Sequence, residues 1–407
     1  MRILVADKFS ERQLEALGRL GLEVQYLPNL APAELGARLP GASLLLVRNK
    51  EVTGAAIEAA DALTLIVRAG PGAPNVDRTA ASQRGIFVAA CPGKSAMAVA
   101  ELVFGLILSI DRRLPEQVYD LRAHRWDRKE YLKADGIHGR TLGIVGMGPI
   151  GVEVAVRARA FGMPVVAWSR SLDDERAREL GIGRAASPLE LAGRADVVTL
   201  HVALTAQTRE LASDGFFAAM KPGAMFINTA RPELVNAEAL ARALREKNLR
   251  VGLDVHPGQP EEGVGDYRHP LLDLPGVYGT HHVGASTRQA DSAVADEAIR
   301  VIRAFLERGE VPGCVNLGRR AAARWQFVVR HYDRVGVLAG VLGALRRHHV
   351  HVEDLENRVF DGAAAACCTL RVSTEPSAAC VAEVRAMADV LHASIMAAAA
   401  RNEAGED

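Results

Sequence analysis

Features that would place this chain in a specialised class are scarce in its sequence. Its five cysteines lack the paired spacings of disulfide frameworks and zinc sites, which favours free thiols in a reducing compartment. Basic and acidic residues number 49 each, so no net charge attracts nucleic acid or a membrane surface. The longest apolar stretch, 98–110, contains Glu101 and is too short to span a bilayer. We therefore expect a cytoplasmic protein without metal, nucleic-acid or membrane partners.

The hydrophobic pattern predicts two α/β lobes. With 407 residues the chain is too long for a single core. Short apolar segments alternate with helical patterns from the first residue, and a second such series begins at Thr141, which indicates two parallel sheets wrapped by helices. One long, buried helix is expected from near Ala98 to beyond Leu114. We assign residues 1–97, completed by 285–318, to the first lobe and 98–284 to the second.

A third, smaller domain is predicted at the C-terminal end. The basic, Ala-rich segment 319–324 is a candidate linker. Residues 325–400 follow with a pattern that predicts a small α+β unit in the order βαββαβ.

A glycine motif opens the second lobe. Gly146, Gly148 and Gly151 form GMGPIG, with Pro149 and Ile150, between the apolar strand TLGIV and a helical segment. In this context the first glycine makes the tight turn, the second lets the backbone approach a pyrophosphate, and the third lets helix pack on strand. The motif predicts a Rossmann-type, doubly wound sheet that binds a dinucleotide at a helix N-terminus.

The sequence leaves the choice between NAD and NADP open. An acidic residue that holds the adenosine ribose is expected about 20 residues after the motif. Ser169 occupies that position and Arg170 follows it. A small polar residue beside an arginine suits a 2′-phosphate, although Arg170 could equally stack on adenine or face water.

Four ordered motifs resemble those of the D-2-hydroxy-acid dehydrogenase family over residues 1–318. They are RAGPGAPNVD, GMGPIG, INTARPELVN and THHVGAST. The resemblance implies an NAD(P)-dependent oxidoreductase, and it assigns catalytic roles to Arg231, Gln259 and His282. A guanidinium suits bidentate carboxylate binding, and a histidine can exchange a hydroxyl proton near neutral pH.

Gln259 departs from the family pattern, which normally has a glutamate paired with the catalytic histidine. Formate dehydrogenases, similar in fold, also carry glutamine there. An amide orients the imidazole without holding its proton, so the pKa of His282 is expected to be lowered. Charge alone then predicts a larger effect on reduction, which needs protonated His282, than on oxidation. Glu261 and Glu262 lie close by in sequence and are alternative partners.

The resemblance also implies contacts to cofactor and substrate. Further cofactor contacts are expected from Thr229, Ala230, Asp254, Gly284 and Ala285. Members of the family that act on phosphoglycerate surround their substrate with extra arginines, and the matching arginines here are Arg48, Arg68 and Arg128. Asn75, in the motif RAGPGAPNVD, is a further expected substrate contact. Arg128 is expected to reach across from a neighbouring subunit of a homodimer or homotetramer. A phosphate dianion accepts several charge-assisted hydrogen bonds, which favours a phosphorylated substrate.

Residues 325–395 resemble an ACT domain, a module that binds amino acids at subunit interfaces. The resemblance implies an effector site formed by His331, Asp333 and His351, where serine-sensing domains have one histidine and two asparagines. The sequence therefore leaves three alternative functions for the whole chain. The first is oxidation of a phosphorylated 2-hydroxy acid at the entry to serine biosynthesis. The others are NADPH-linked reduction of hydroxypyruvate or glyoxylate and a catalytically weak nucleotide-binding sensor. For the third domain, oligomerisation alone is an alternative to sensing.

Overall fold

Three β-sheets organise the residues that the computed structural model describes, which are 1–260, 264–317 and 324–397. Two parallel sheets belong to one compact unit, Met1–Asn316, and an antiparallel sheet belongs to a second unit that begins at Leu317. The predicted α/β class with an additional α+β unit is confirmed. Of the candidate linker 319–324, all but Arg324 lies outside the described residues, as do 398–400.

The first sheet has five parallel strands in the order β2-β1-β3-β4-β5. Ile3 and Val5 pack into one apolar cluster and Leu4 into another, because helices cover both faces of the sheet. The elements are β1 (Arg2–Val5), α1 (Glu11–Gly18), β2 (Glu23–Tyr26), α2 (Leu35–Arg38), β3 (Leu44–Val47), α3 (Gly54–Glu58), β4 (Leu65–Arg68), α4 (Arg78–Gln83) and β5 (Phe87–Ala90).

The second sheet has seven parallel strands in the order β12-β11-β10-β9-β6-β7-β8. Its strands are β6 (Leu142–Val145), β7 (Val165–Trp168), β8 (Gly183–Arg184), β9 (Val197–Leu200), β10 (Met225–Asn228), β11 (Arg250–Leu253) and β12 (Val277–Gly279). The helices of this part are α5 (Ala96–Arg112), α6 (Leu114–Arg122), α7 (Pro149–Ala160), α8 (Asp174–Leu180), α9 (Pro188–Arg194), α10 (Asp214–Ala219) and α11 (Ala237–Lys247). After β12 the chain forms α12 (Arg288–Arg308), which packs against the first sheet.

The single long helix predicted past Leu114 is wrong, because two helices occupy this stretch. α5 ends at Arg112, and Arg113 adopts a left-handed conformation with φ of 50° before α6 begins. Pro115 stands in the first turn of α6. A proline ring clashes with the carbonyl of the preceding turn and offers no N–H, so it cannot continue α5 but suits a helix start.

The C-terminal unit is a four-stranded antiparallel sheet in the order β14-β15-β13-β16. Its elements are β13 (Trp325–Tyr332), α13 (Val337–Arg347), β14 (Val352–Val359), β15 (Ala365–Val372), α14 (Ala378–Arg385) and β16 (Val390–Ala397). Alternate residues of β15 are buried, and Cys368 and Leu370 pack with Val341 and Leu345 of α13. This βαββαβ order and sheet topology form a ferredoxin-like fold.

Among the described residues, no helix is both long and apolar enough to cross a membrane. Nor do three or more His, Cys, Asp or Glu side chains in that part of the chain come together as metal ligands. All five cysteines are free thiols.

Candidate active site

The strand order of the second sheet reverses between β6 and β9. From this point the chain runs outward to β8 on one side and to β12 on the other. Ligands of such sheets bind at the carboxyl ends of the strands beside this switch point. The glycine loop 146–151 follows β6 there, and His201 follows β9.

The three glycines differ in what surrounds them. A Cβ on Gly146, whose φ is 105°, would lie 2.7 Å from the carbonyl of His201, and a Cβ on Gly151 would lie 2.1 Å from the carbonyl oxygen of Gly146. A Cβ on Gly148 would meet nothing within 4 Å. Gly146 and Gly151 therefore let the backbone pack closely, whereas Gly148 leaves space in front of the N-terminus of α7.

Two buried polar atoms just beyond the carboxyl ends of β9 and β10 have no partner in the described part of the chain. They are Oγ1 of Thr229, after β10, and Nδ1 of His201, whose Nε2 lies 2.9 Å from Oγ1 of Thr199. Burial lowers the pKa of His201 to about 3, so the ring is neutral. Buried polar atoms are normally hydrogen-bonded, so these two are candidates to bond a ligand. A dinucleotide, which carries both donors and acceptors, is such a ligand.

The residues after β7 bear on which dinucleotide binds. Oγ of Ser169 lies 3.4 Å from Oγ of Ser171, and Arg170 is exposed. Since β7 is the neighbour of β6, both residues lie at the carboxyl edge beside the glycine loop.

Asp254 anchors the loop that follows β12. Its side chain is buried, and its two oxygens accept hydrogen bonds from Oγ1 of Thr280 at 2.6 Å, the N–H of Val283 at 2.9 Å and the N–H of Gly284 at 2.8 Å. A Cβ on Gly284 would lie 2.9 Å from the carboxylate, so glycine permits this approach. Beyond the nicotinamide contact that the resemblance implies, Asp254 thus holds the segment that carries His282 and Ala285.

His282 lies on this loop in a left-handed backbone conformation with φ of 54°. Nε2 of Gln259 lies 2.6 Å from Nδ1 of His282, and Oε1 of Gln259 accepts a hydrogen bond of 3.0 Å from the N–H of His256. Desolvation, together with the nearby charge of Arg231 and with His256, lowers the pKa of His282, while Asp254 acts in the opposite direction. The direction agrees with the sequence expectation, but burial is the largest cause. Glu261 and Glu262, the alternative partners, lie outside the described residues.

Arg231 is presented by a turn that Asn228 shapes. Nδ2 of Asn228 donates to the carbonyl of Arg231 at 2.9 Å, and its Oδ1 accepts from the N–H of Ala230 at 3.0 Å. The Arg231 side chain is exposed, and Nη1 donates to the carbonyl of Ala230 at 2.6 Å. Among the described residues the other guanidinium donors have no hydrogen-bond partner, which leaves them available to a substrate anion near His282.

Three predicted substrate residues converge at the carboxyl edge of the first sheet. Arg48 Nη1 lies 2.9 Å from Oδ1 of Asp291, while Nε of Arg68 donates to the carbonyl of Arg48 at 2.9 Å. Nδ2 of Asn75 donates to the carbonyl of Lys50 at 2.6 Å. Arg48 Nε and Asn75 Oδ1 are buried without a partner among the described residues, so a further polar group could bind here. Desolvation lowers the pKa of Arg68, and Arg48 acts in the same direction.

Arg128 is not part of this group within one chain. It lies in the exposed segment after α6, and among the described residues no hydrogen bond joins it to the other three.

The three predicted effector residues differ in exposure. The ring of His331 is buried, with Nδ1 lying 2.7 Å from the carbonyl of Tyr332 and Nε2 lying 3.3 Å from Oδ1 of Asn357. Asp333 and His351 are exposed. His331 therefore stabilises its own sheet, and both its nitrogens are occupied.

Sequence reasoning missed several residues that shape the site. The carboxylate of Asp7 accepts hydrogen bonds from the N–H groups of Arg48, Asn49 and Lys50 at 2.6, 3.1 and 3.0 Å, and so folds the loop after β3. Asn228 and His256 likewise act through hydrogen bonds between their side chains and backbone atoms, whereas the hydroxyl of Thr280 donates to the carboxylate of Asp254. Their position at strand ends was the only signal available in the sequence.

The fold and the glycine loop define a dinucleotide-binding α/β protein. Residues 104–284 match the family model described as D-isomer specific 2-hydroxyacid dehydrogenase, NAD binding domain. The chain belongs to the D-isomer-specific 2-hydroxyacid dehydrogenase family, whose cofactor is NAD(P).

Individual relatives agree with this assignment. The D-3-phosphoglycerate dehydrogenase of Methanocaldococcus jannaschii is 38% identical over 317 residues, which cover 76% of this chain and 59% of that protein. The chain thus spans about three fifths of that relative's length. The TT0316 protein of Thermus thermophilus is 37% identical with a TM-score of 0.67, over 77% of this chain and all of the other. An NAD⁺-bound 3-phosphoglycerate dehydrogenase of Entamoeba histolytica has 26% identity and a TM-score of 0.62, over 78% and 99% of the two chains.

Proposed function

We propose that this chain transfers hydride between NAD(P) and D-3-phosphoglycerate, the first step of serine biosynthesis. The observation that carries the proposal is the grouping of Arg231 with the Gln259–His282 pair on the sheet edge that holds the glycine loop. Relatives named for this activity support the substrate. In this assignment residues 98–284 bind the dinucleotide, and 1–97 with 285–318 bind the substrate.

The side chains divide the chemistry between them. Arg231 binds the substrate carboxylate through its free donors and polarises the carbonyl. His282 exchanges the proton of the substrate oxygen. The bound nicotinamide supplies the acceptor or donor of hydride. Because reduction consumes a proton held by His282, reductive activity falls as the pH rises through the lowered pKa of that residue.

Phosphate recognition falls to Arg48, Arg68 and Asn75. Two guanidinium groups beside unpartnered buried atoms suit a doubly charged anion. Arg128 joins them from a neighbouring subunit of a homodimer or homotetramer, in line with its exposure in the single chain. Small-molecule metabolism of this kind and the free thiols fit a cytoplasmic location.

The cofactor is NAD or NADP, bound by the glycine loop with Ser169 and Arg170 at the ribose. In the C-terminal unit we propose an ACT regulatory domain over residues 325–400. An amino-acid effector there would contact exposed Asp333 and His351, and engaging His331 would require its present hydrogen bonds to break.

Initial rates separate the candidate functions. The purified chain is assayed with NADH and NADPH against 3-phosphohydroxypyruvate, hydroxypyruvate and glyoxylate. The proposal predicts the highest kcat/KM with the phosphorylated acid. A preference for NADPH with hydroxypyruvate or glyoxylate would assign the reductase function, which Ser169 and Arg170 favour. Binding of cofactor without turnover of any acid would assign a sensor.

A further inference from the structure

The amide of Gln259 lies between two groups with different hydrogen-bonding abilities. One end is 3.0 Å from the backbone nitrogen of His256, and the other end is 2.6 Å from Nδ1 of His282. A backbone N–H can only donate, whereas an imidazole nitrogen donates or accepts according to its protonation. The backbone contact therefore determines how the amide is oriented.

The end that faces His256 must be the carbonyl oxygen, because an amide NH₂ would set donor against donor. The NH₂ group of Gln259 consequently faces His282 and donates to Nδ1. A nitrogen that accepts a hydrogen bond carries no proton, so the proton of neutral His282 resides on Nε2.

We propose that Gln259 is a positioning residue that holds neutral His282 as its Nε2–H tautomer, with the N–H of His256 fixing the amide. The ring then presents to the substrate a hydrogen-bond donor instead of a proton acceptor. The tautomer follows from the contacts alone, and its consequence for catalysis rests on the proposed function.

Other polar groups near His282 already form hydrogen bonds elsewhere in the protein. Both oxygens of Asp254 accept hydrogen bonds from Thr280, Val283 and Gly284, and Nε2 of His256 lies 2.8 Å from the carbonyl of Thr280. Arg231, the remaining charged neighbour, only donates. Within the described residues, Gln259 is thus the group that faces Nδ1.

The tautomer affects proton transfer in both directions. In oxidation His282 would take the O–H proton of the substrate on Nε2, which requires that Nε2 carry no proton and that Nδ1 of the neutral ring carry one. That proton would confront the amide NH₂, so the amide must reverse and lose its bond to His256. Reduction passes through the same transition state and meets the same obstacle. The proposal therefore predicts equal effects on the two directions, where charge alone predicts a larger effect on reduction.

A glutamate at this position removes the obstacle, because a carboxylate accepts from both His256 and Nδ1–H. Gln259→Glu should raise kcat/KM roughly tenfold or more, by the same factor in both directions at a given pH, since one unfavourable donor–donor contact disappears. Gln259→Met, of similar length but without a donor, is the matched control for the tautomer.

The direct test is two-bond ¹H–¹⁵N correlation spectroscopy of the full chain labelled at histidine, at a pH where His282 is neutral. His282→Gln identifies the signal. We expect the wild type to show Nε2–H, Gln259→Met a mixture of tautomers, and Gln259→Glu the Nδ1–H form. Nδ1–H in the wild type, or an undiminished Nε2–H state in Gln259→Met, would overturn the proposal and would point to another partner such as Glu261 or Glu262. Because the spectra need no substrate, an inactive enzyme would sink the proposed function and leave this inference standing.

Discussion

The carboxyl edges of the two parallel sheets are built from similar elements but present their cations differently. On the second sheet, the guanidinium of Arg231 donates to the carbonyl of Ala230 and has no other hydrogen-bond partner among the described residues. On the first sheet, Arg48 faces the carboxylate of Asp291, and Arg68 donates to backbone carbonyls. The second edge therefore offers free donors, while a substrate at the first edge must compete with groups of the protein.

This difference shows that a cluster of arginines is not in itself a measure of binding capacity. A guanidinium that already pairs with a carboxylate loses that contact when it turns to a ligand, so the net gain is smaller than for a free cation. We expect substitutions on the second edge to have the larger effects.

The largest effect is expected from Arg231→Ala and His282→Ala, which remove groups that act on the substrate. Each should lower kcat/KM by about 10²–10⁴-fold while cofactor affinity stays nearly unchanged. Steady-state rates and fluorescence titration with NADH measure the two quantities. Exposed His281, adjacent on the same loop, provides the control, and His281→Ala should keep near-full activity. Near-full turnover by His282→Ala would remove this residue from the site.

Substitutions at Gly148 and Gly151 distinguish an effect on ligand binding from an effect on packing at the second edge. In Gly148→Ala the new Cβ meets open space, so the melting temperature should hold while the Kd for the dinucleotide rises by roughly 5–150-fold. In Gly151→Ala the Cβ meets the Gly146 carbonyl, which should destabilise the fold by about 1–3 kcal/mol. Titration calorimetry measures the Kd for the dinucleotide, and thermal unfolding measures the stability of each variant. Unchanged affinity in Gly148→Ala would mean that the dinucleotide does not approach this loop.

Substitutions of Arg48 and Asp291 test whether Asp291 competes with a substrate phosphate for Arg48 at the first edge. Arg48→Ala should raise the KM for a phosphorylated substrate by about ten- to hundredfold, with little change for an unphosphorylated one. Asp291→Ala leaves the guanidinium and removes its competing anion, so this KM should hold or fall. If both substitutions raise the KM for the phosphorylated substrate equally, the Arg48–Asp291 ion pair holds α12 in place and does not bind phosphate.

The smallest effect is expected from a substitution at Ser169, the residue expected to contact the adenosine ribose of the cofactor. Ser169→Asp places a carboxylate where a 2′-phosphate would lie and should shift the ratio of kcat/KM values toward NAD by several-fold or more. The two ratios come from parallel assays with NADH and NADPH. A parent chain that already prefers NAD strongly would show that Arg170 is not a phosphate ligand.

The features predictable from sequence were those with a local signature. The alternation of apolar strands and helices indicated both sheets, and the spacing of Gly146, Gly148 and Gly151 indicated the dinucleotide-binding turn. The break at Arg113 was missed because an apolar pattern runs up to it, although Pro115 was a visible signal.

Partnerships between distant segments could not be predicted. The bond from Asp254 to Gly284 and the ion pair from Arg48 to Asp291 join residues 30 or more positions apart. Likewise, the orientation of Gln259 depends on one backbone N–H, which has no sequence signature. Such contacts arise only when the loops at one sheet edge are folded together.

The most direct test of the account is transfer of deuterium from the reduced cofactor deuterated at both C4 positions to 3-phosphohydroxypyruvate, followed by mass spectrometry of the product. We predict one deuterium at C2 of D-3-phosphoglycerate with the wild type, and a severely reduced yield with Arg231→Ala under the same conditions. Saturated cofactor without label transfer, or equal transfer by the variant, would contradict the assignment of this edge as the active site.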